Sequence, residues 1–134
     1  MKHLYKYQRG MTGIGIFLML CVLACFVLFG LTAFPLYNEY FSVKSSMQAV
    51  INQPPAKRKT TKDIQKLFLR NAEINSIARF TDKNLKDYVT VQKSKDGKKK
   101  YLNVKYQAEN NLFKNIFLMM KVDETIELTE SAAE

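Results

Sequence analysis

Hydrophobic and polar positions divide this chain sharply. From Gly10 to Asn38 there is no Asp, Glu, Lys, Arg or His, and residues 11–34 read MTGIGIFLMLCVLACFVLFGLTAF. At about 1.5 Å per residue a helix of that length runs roughly 36 Å, enough to cross a hydrocarbon core of ~30 Å. The pattern predicts one transmembrane helix over residues 11–34, preceded by a basic head over residues 1–10.

Beyond the span the period stays helical for a while. Pro35 predicts a bend, because a proline inside a helix removes a hydrogen bond. The helix then continues as an extension over residues 35–53. Leu36, Tyr40, Val43, Met47 and Val50 recur at intervals of 4, 3, 4 and 3, one narrow apolar stripe. Such a stripe packs either on the domain's own strands or on a partner helix. Tyr37 and Tyr40 fall where aromatic rings favour the headgroup zone. Gln53-Pro54-Pro55 ends the helix, and residues 54–59 form a linker that carries Lys57, Arg58 and Lys59. Thr60 has the character of an N-cap with Asp63 three residues on. Ile64, Leu67, Phe68 and Asn71 then mark a short amphipathic helix over residues 62–71, with Arg70 in its last turn.

The period next changes to two. Residues 88–92 are rich in β-formers, and Lys95-Asp96-Gly97-Lys98 is a hairpin signal, since Asp-Gly tolerates positive φ. The return strand is expected over residues 100–108, with Leu102, Val104 and Tyr106 on one face and Tyr101, Asn103 and Lys105 on the other. Residues 109–111 and Lys114-Asn115 break the alternation. A third strand follows over residues 116–129, bent near Asp123. The expected fold class is α+β: a single N-terminal transmembrane helix with a bent extension, a short amphipathic helix and a small antiparallel three-stranded meander. The small domain occupies residues 60–130, and residues 131–134 are a tail.

Charge sets the topology. Net charge is +9. Lys2, Lys6 and Arg9 lie in the head, which has no acid. The positive-inside rule therefore places the head in the cytoplasm and the domain across the membrane, in the periplasm of a two-membrane bacterium. Of the 21 basic residues, 18 follow the span, against all 12 acidic ones. That surplus is scattered and matches no nucleic-acid recognition motif, so no nucleic-acid partner is expected. The two cysteines, Cys21 and Cys25, lie inside the span, and the soluble part has none.

Candidate chemistry is sparse. Two membrane-embedded thiols make a poor metal site without further ligands. Cys21, Ala24, Cys25, Leu28 and Thr32 instead form a face of small residues suited to helix packing. His3 is the only histidine and lies in the head, so no His-based triad can form in the domain. Asp63, Glu73, Asp82 and Asp87 sit beside lysines or in loops, the setting of solvated surface. Lys44, Ser45 and Ser46 occupy adjacent helical positions that do not face one another, which argues against a Ser/Lys dyad. There is no Gly-rich phosphate loop. Lys95, Lys98, Lys99 and Lys100 crowd the expected turn, either as a solvated hairpin or as a contact for anionic headgroups or an anionic partner. No cofactor, metal or small-molecule substrate is implied.

The start of the chain admits several processing readings. A cleaved secretory signal fits poorly, because the apolar run is too long and lacks a clean A-x-A site. Val22-Leu23-Ala24-Cys25 only loosely matches a lipobox, and Phe26–Leu31 stays apolar after it. Tyr7-Gln8-Arg9-Gly10-Met11-Thr12 resembles the class III signal of type IV pilins and pseudopilins, which implies cleavage between Gly10 and Met11. In that family Glu stands five residues into the mature chain; here the position is Gly15, which counts against assembly as an ordinary major pilin. An uncleaved signal anchor is the simpler alternative. The wider pattern, Gln8, Gly10 and Thr12 followed by Pro35, Tyr37, Glu39, Tyr40, Phe41, Val43 and Lys44, resembles a proteobacterial family of short inner-membrane proteins of unknown function. That resemblance implies an inner-membrane protein with an exported domain and no assigned activity.

The reading is thus a non-enzymatic, single-span accessory or interaction protein. Its partners are membrane lipid and other membrane proteins, met through the span and the periplasmic domain. The alternative is a pseudopilin-like component, processed after Gly10 and assembled into a pilus or secretion machinery.

Overall fold

A computed structural model describes Gly10 and residues 12–128. Residues 1–9, His3 among them, Met11 and residues 129–134 lie outside the described residues, and with Met11 the expected cleavage point after Gly10.

Helix α1 (Gly13–Ile51) is 39 residues long and includes Pro35. It is long and apolar enough to cross a membrane. The helix continues past Pro35 as expected, so the extension is part of α1 and ends at Ile51. Proline withholds a single N–H donor, and the packing of the following turns holds the helical path. The expected stripe is where α1 meets the rest of the chain: Leu36, Val43, Met47 and Val50 are buried and Tyr40 packs beside them. The helix ends at Ile51, where the Asn52 N–H donates to the Gln48 carbonyl and the Gln53 N–H to that of Val50, both at 3.2 Å.

The predicted linker is partly ordered as a 3-10 turn at Pro55–Lys57, and its Arg58 is buried, not solvated. Helix α2 (Thr61–Ile74) begins with the predicted cap. Thr60 Oγ1 accepts from the Asp63 N–H at 3.1 Å, while the Thr60 N–H donates to Asp63 Oδ2 at 3.1 Å. That reciprocal pair satisfies two orphan donors. The helix runs three residues past the expected Asn71, so Arg70 lies outside its last turn. It stops in a Schellman arrangement: Ile77 N–H reaches the Ala72 carbonyl at 2.9 Å and Ser76 N–H reaches that of Glu73 at 3.0 Å, with Ser76 at φ +60°.

One turn of helix, α3 (Leu85–Tyr88), precedes the sheet and displaces the expected strand start to Val89. Strands β1 (Val89–Lys93), β2 (Lys100–Phe113) and β3 (Ile116–Leu128) form an antiparallel meander in the order β1-β2-β3. The β1–β2 turn holds Gly97 at φ +69°, as the Asp-Gly signal requires. One expectation about the strands is corrected. Strand β2 does not break at residues 109–111 but continues to Phe113, because β3 pairs it almost to its end, Asn110 with Leu118 and Asn111 with Phe117. Cross-strand pairing outweighs the low strand preference of two asparagines. Asp123 pairs with Lys105, and the register irregularity between these strands falls at Asn111/Phe113.

Leu102, Val104, Tyr106 and Ala108 bury the face of β2 that α1 and α2 cover. Phe68 of α2 meets Phe80 edge-on at 5.2 Å between ring centres, and Phe80 meets Tyr106 at 5.7 Å. The molecule is therefore a two-layer α+β domain whose core is built partly from the outer half of the apolar helix.

Candidate functional site

Three polar ties join α1 to the sheet and its flanking loops, and together they define a helix–hairpin junction. Nearest the apolar segment, Asn110 Nδ2 on β2 donates to the Thr32 carbonyl at 3.1 Å. About two turns on, Arg79 Nε donates to Glu39 Oε1 at 2.6 Å and Arg79 Nη1 to the Gln107 carbonyl at 3.0 Å. Beside it, the Tyr40 hydroxyl donates to Glu124 Oε1 on β3 at 2.6 Å. The sequence pattern does not show these pairs, since their members are 28 to 84 residues apart. The only trace was Glu39, the first charged residue after a long uncharged run.

The electrostatics of the junction are those of closed pairs. The hydrogen bond to Glu124 raises the Tyr40 pKa, which keeps the phenol protonated and donating. The bond to Glu39 raises the Arg79 pKa against the opposing effect of burial. Tyr106, beneath the Arg79 guanidinium at 5.4 Å, has its pKa pushed up to about 12, chiefly by burial and then by the Glu39 charge. An open cleft of about 660 Å³ lies on one side of the pair, lined among others by Glu39, Ser42, Asn75 and Arg79. Its polar groups hold the fold: Ser46 Oγ, just behind, donates to the Ser42 carbonyl at 2.8 Å and accepts from Asn75 Nδ2 at 2.9 Å. Among the described residues no group of three His, Cys, Asp or Glu side chains is placed to hold a metal ion.

Nearer the N-terminal end of α1 the surface is apolar. Cys21, Val22, Cys25, Phe26, Leu28 and Phe29 of α1 form a groove of about 680 Å³ with Leu112 and Phe113 of the β2–β3 hairpin. The small-residue face expected from the sequence is therefore met in part by the chain's own hairpin. Cys21, Cys25 and Leu28 line the groove, and Thr32 is buried at its upper end, its Oγ1 donating to the Leu28 carbonyl at 2.9 Å. Ala24 of that face is exposed.

The lysine-rich turn sits elsewhere. Strand β2 has 14 residues, so Lys100 and Phe113 are roughly 43 Å apart along it. The turn with Lys95, Lys98 and Lys99 lies at the end remote from the apolar groove. Lys99 Nζ pairs with Glu127 at 3.0 Å, which raises its pKa. Lys100 Nζ donates to the carbonyls of Lys59 at 3.0 Å and Arg58 at 3.3 Å, so it anchors the loop before α2. Lys95 and Lys98 are exposed.

No curated protein and no solved structure matches the chain. A family model does: the one described as "Domain of unknown function (DUF4845)" covers residues 33–121, more than half of the chain. The matched segment begins within α1, just after Thr32, and ends within β3, so it contains all three junction ties save the Thr32 and Glu124 ends. The chain belongs to the DUF4845 family.

Proposed function

We propose that this protein is a non-enzymatic, single-span accessory subunit of the bacterial inner membrane. Its head faces the cytoplasm, and its α+β domain stands in the periplasm for a membrane complex to bind. The observation that carries this reading is continuity. One 39-residue helix runs from the apolar segment into the core of the domain. Such a domain has no hinge to the membrane and is held at a set height above it, which suits a docking module. The polar groups of the junction are spent on each other, in the pairs Arg79–Glu39 and Tyr40–Glu124. The remote turn with Lys95 and Lys98 is free to meet an acidic patch on a partner.

The test is purification of the tagged full-length chain from native membranes in mild detergent, followed by intact mass measurement. A full-length chain with a membrane protein in fixed ratio is the expected outcome. Recovery of the chain alone, or from the soluble fraction, overturns it. A mature chain that begins at Met11 instead favours the pseudopilin-like alternative. Topology is checked with Gln92→Cys in intact spheroplasts: a membrane-impermeant thiol reagent should label it without lysis.

A further inference from the structure

We propose that the tip of the β2–β3 hairpin, residues 112–117, is a second membrane contact. It would insert among the lipid acyl chains of the leaflet on the domain's side. This rests on the reading of α1 as a span.

Alternation along the hairpin carries the argument. On β3 the outward positions far from the tip are polar: Lys121, Asp123, Thr125 and Glu127. At the tip the same face becomes apolar, with Met119 and Phe117 53% and 57% exposed, and Phe113 and Ile116 beside them 59% and 58% exposed. A half-buried strand in water does not present apolar residues outward at successive positions. Lys114 is the one charged residue between Glu109 and Lys121.

Position supplies the second, independent observation and names the occupant. The tip is held beside the apolar helix, not above it. Asn110 is bonded to the Thr32 carbonyl, and Leu112 and Phe113 line one groove with Cys25 and Phe29. Three residues past Asn110, at about 3.3 Å each, carry the tip roughly 10 Å farther along α1. That part of α1 exposes Phe26, Val27 and Phe29 and lies within the uncharged run that a bilayer would enclose. A lipid environment that covers these residues must also cover the hairpin tip at the same height.

Depth follows from hydrogen bonding. Unpaired strand-edge groups are tolerated in the hydrated headgroup zone but not in the hydrocarbon core. An insertion of about 5–10 Å, as for interfacial helices, keeps Glu109, opposite Met119, and Lys121, opposite Gln107, out of the acyl chains. Lys114 Nζ stands 5.8 Å from the centre of the Phe113 ring. Its stem is long enough to bring the ammonium up toward lipid phosphates. A span and a hairpin together would fix the tilt and rotation of the domain, which a single helix leaves free.

The chain contains no tryptophan, so single substitutions report without background. The full chain carrying Phe117→Trp, Ile116→Trp, Phe26→Trp or Gln92→Trp is reconstituted into phosphatidylcholine vesicles with a minority of phosphatidylglycerol. Some vesicles carry acyl chains brominated near the headgroup end. The expected result is strong bromolipid quenching and blue-shifted emission for Phe117→Trp and Ile116→Trp, comparable to Phe26→Trp. Gln92→Trp, at the remote end, stays unquenched. Quenching of Phe26→Trp but not of either hairpin tryptophan, with both open to aqueous acrylamide, overturns the hairpin proposal and leaves the span. Hairpin tryptophans shielded from both bromolipid and acrylamide also overturn it, since a second copy must then cover the tip. An unquenched Phe26→Trp removes the span reading itself.

Discussion

Arg79 and Glu39 are joined by a 2.6 Å hydrogen bond between Nε and Oε1, and the same guanidinium holds the Gln107 carbonyl at 3.0 Å. One side chain from the loop after α2 thereby ties the long helix to the middle strand. Both partners are partly buried, with side-chain exposures of 30% and 22%. Removing one leaves the other charge incompletely paired.

Arg79→Gln is accordingly expected to destabilise the domain by about 1–2 kcal/mol, the range of a partly screened charged hydrogen bond. Arg79→Lys should recover little, because an ammonium cannot form the two-armed contact with a carboxylate and a carbonyl. Thermal melts of the full chain in detergent measure both. Equal stability of Arg79→Lys and the parent would show that charge alone matters.

Tyr106 differs from its neighbours. Its hydroxyl is buried with no hydrogen-bond partner among the described residues. Tyr106→Phe should therefore be neutral or stabilising by up to about 1 kcal/mol near pH 7. The sign of the pH effect follows from the raised pKa. The unfolded phenol releases its proton near 10 and the folded one near 12. Stability is therefore complete below 10 and falls as pH rises from 10 to 12. Tyr106→Phe should flatten that part of the profile relative to the parent. Denaturant titrations at neutral pH and across the alkaline window decide it; an unchanged alkaline slope would contradict the assignment.

Ser76 occupies the left-handed position that ends α2, with φ +60°. A side chain there is strained, and glycine is the residue that such a position favours. Ser76→Gly should raise stability by roughly 0.5–1 kcal/mol. A lower melting temperature for this variant would mean that the serine side chain contributes something the backbone geometry does not reveal.

The cap at the start of α2 gives an acid-side prediction. Hydrogen bonds from Thr60, first its hydroxyl and then its backbone N–H, lower the Asp63 pKa below its usual 3.8. The stabilisation is thus present above the ordinary carboxylate range and is lost as pH falls through the lowered pKa. Thr60→Ala should cost about 1 kcal/mol at neutral pH. Asp63→Asn should remove this group's share of the acid sensitivity. Circular dichroism melts at neutral and acid pH are the measurement.

Local signals were legible without the structure because local physics produces them. The uncharged run Gly10–Asn38 demands a helix that can meet lipid. The 4-3 spacing of Leu36, Tyr40, Val43, Met47 and Val50 selects one buried face. Thr60 with Asp63 starts a helix, Asp96-Gly97 turns a strand, and period-two alternation sorts Leu102, Val104 and Tyr106 inward. All of these act within a few residues, so the class α+β and the three-stranded meander followed from sequence alone.

What the tertiary structure decided are relations across long stretches of chain. Residues 109–111 read as a break, yet β3 pairs with them and carries the strand on to Phe113. The length of that strand sets which hairpin end lies beside the apolar helix: the one with Phe113, Ile116 and Phe117, not the lysine-rich turn. Glu39 meets Arg79, Tyr40 meets Glu124, and Thr32 meets Asn110 only because the sheet folds back along α1. Pairing register and packing are sums over many weak contacts from distant segments. A single sequence records the residues that make those contacts but not their juxtaposition.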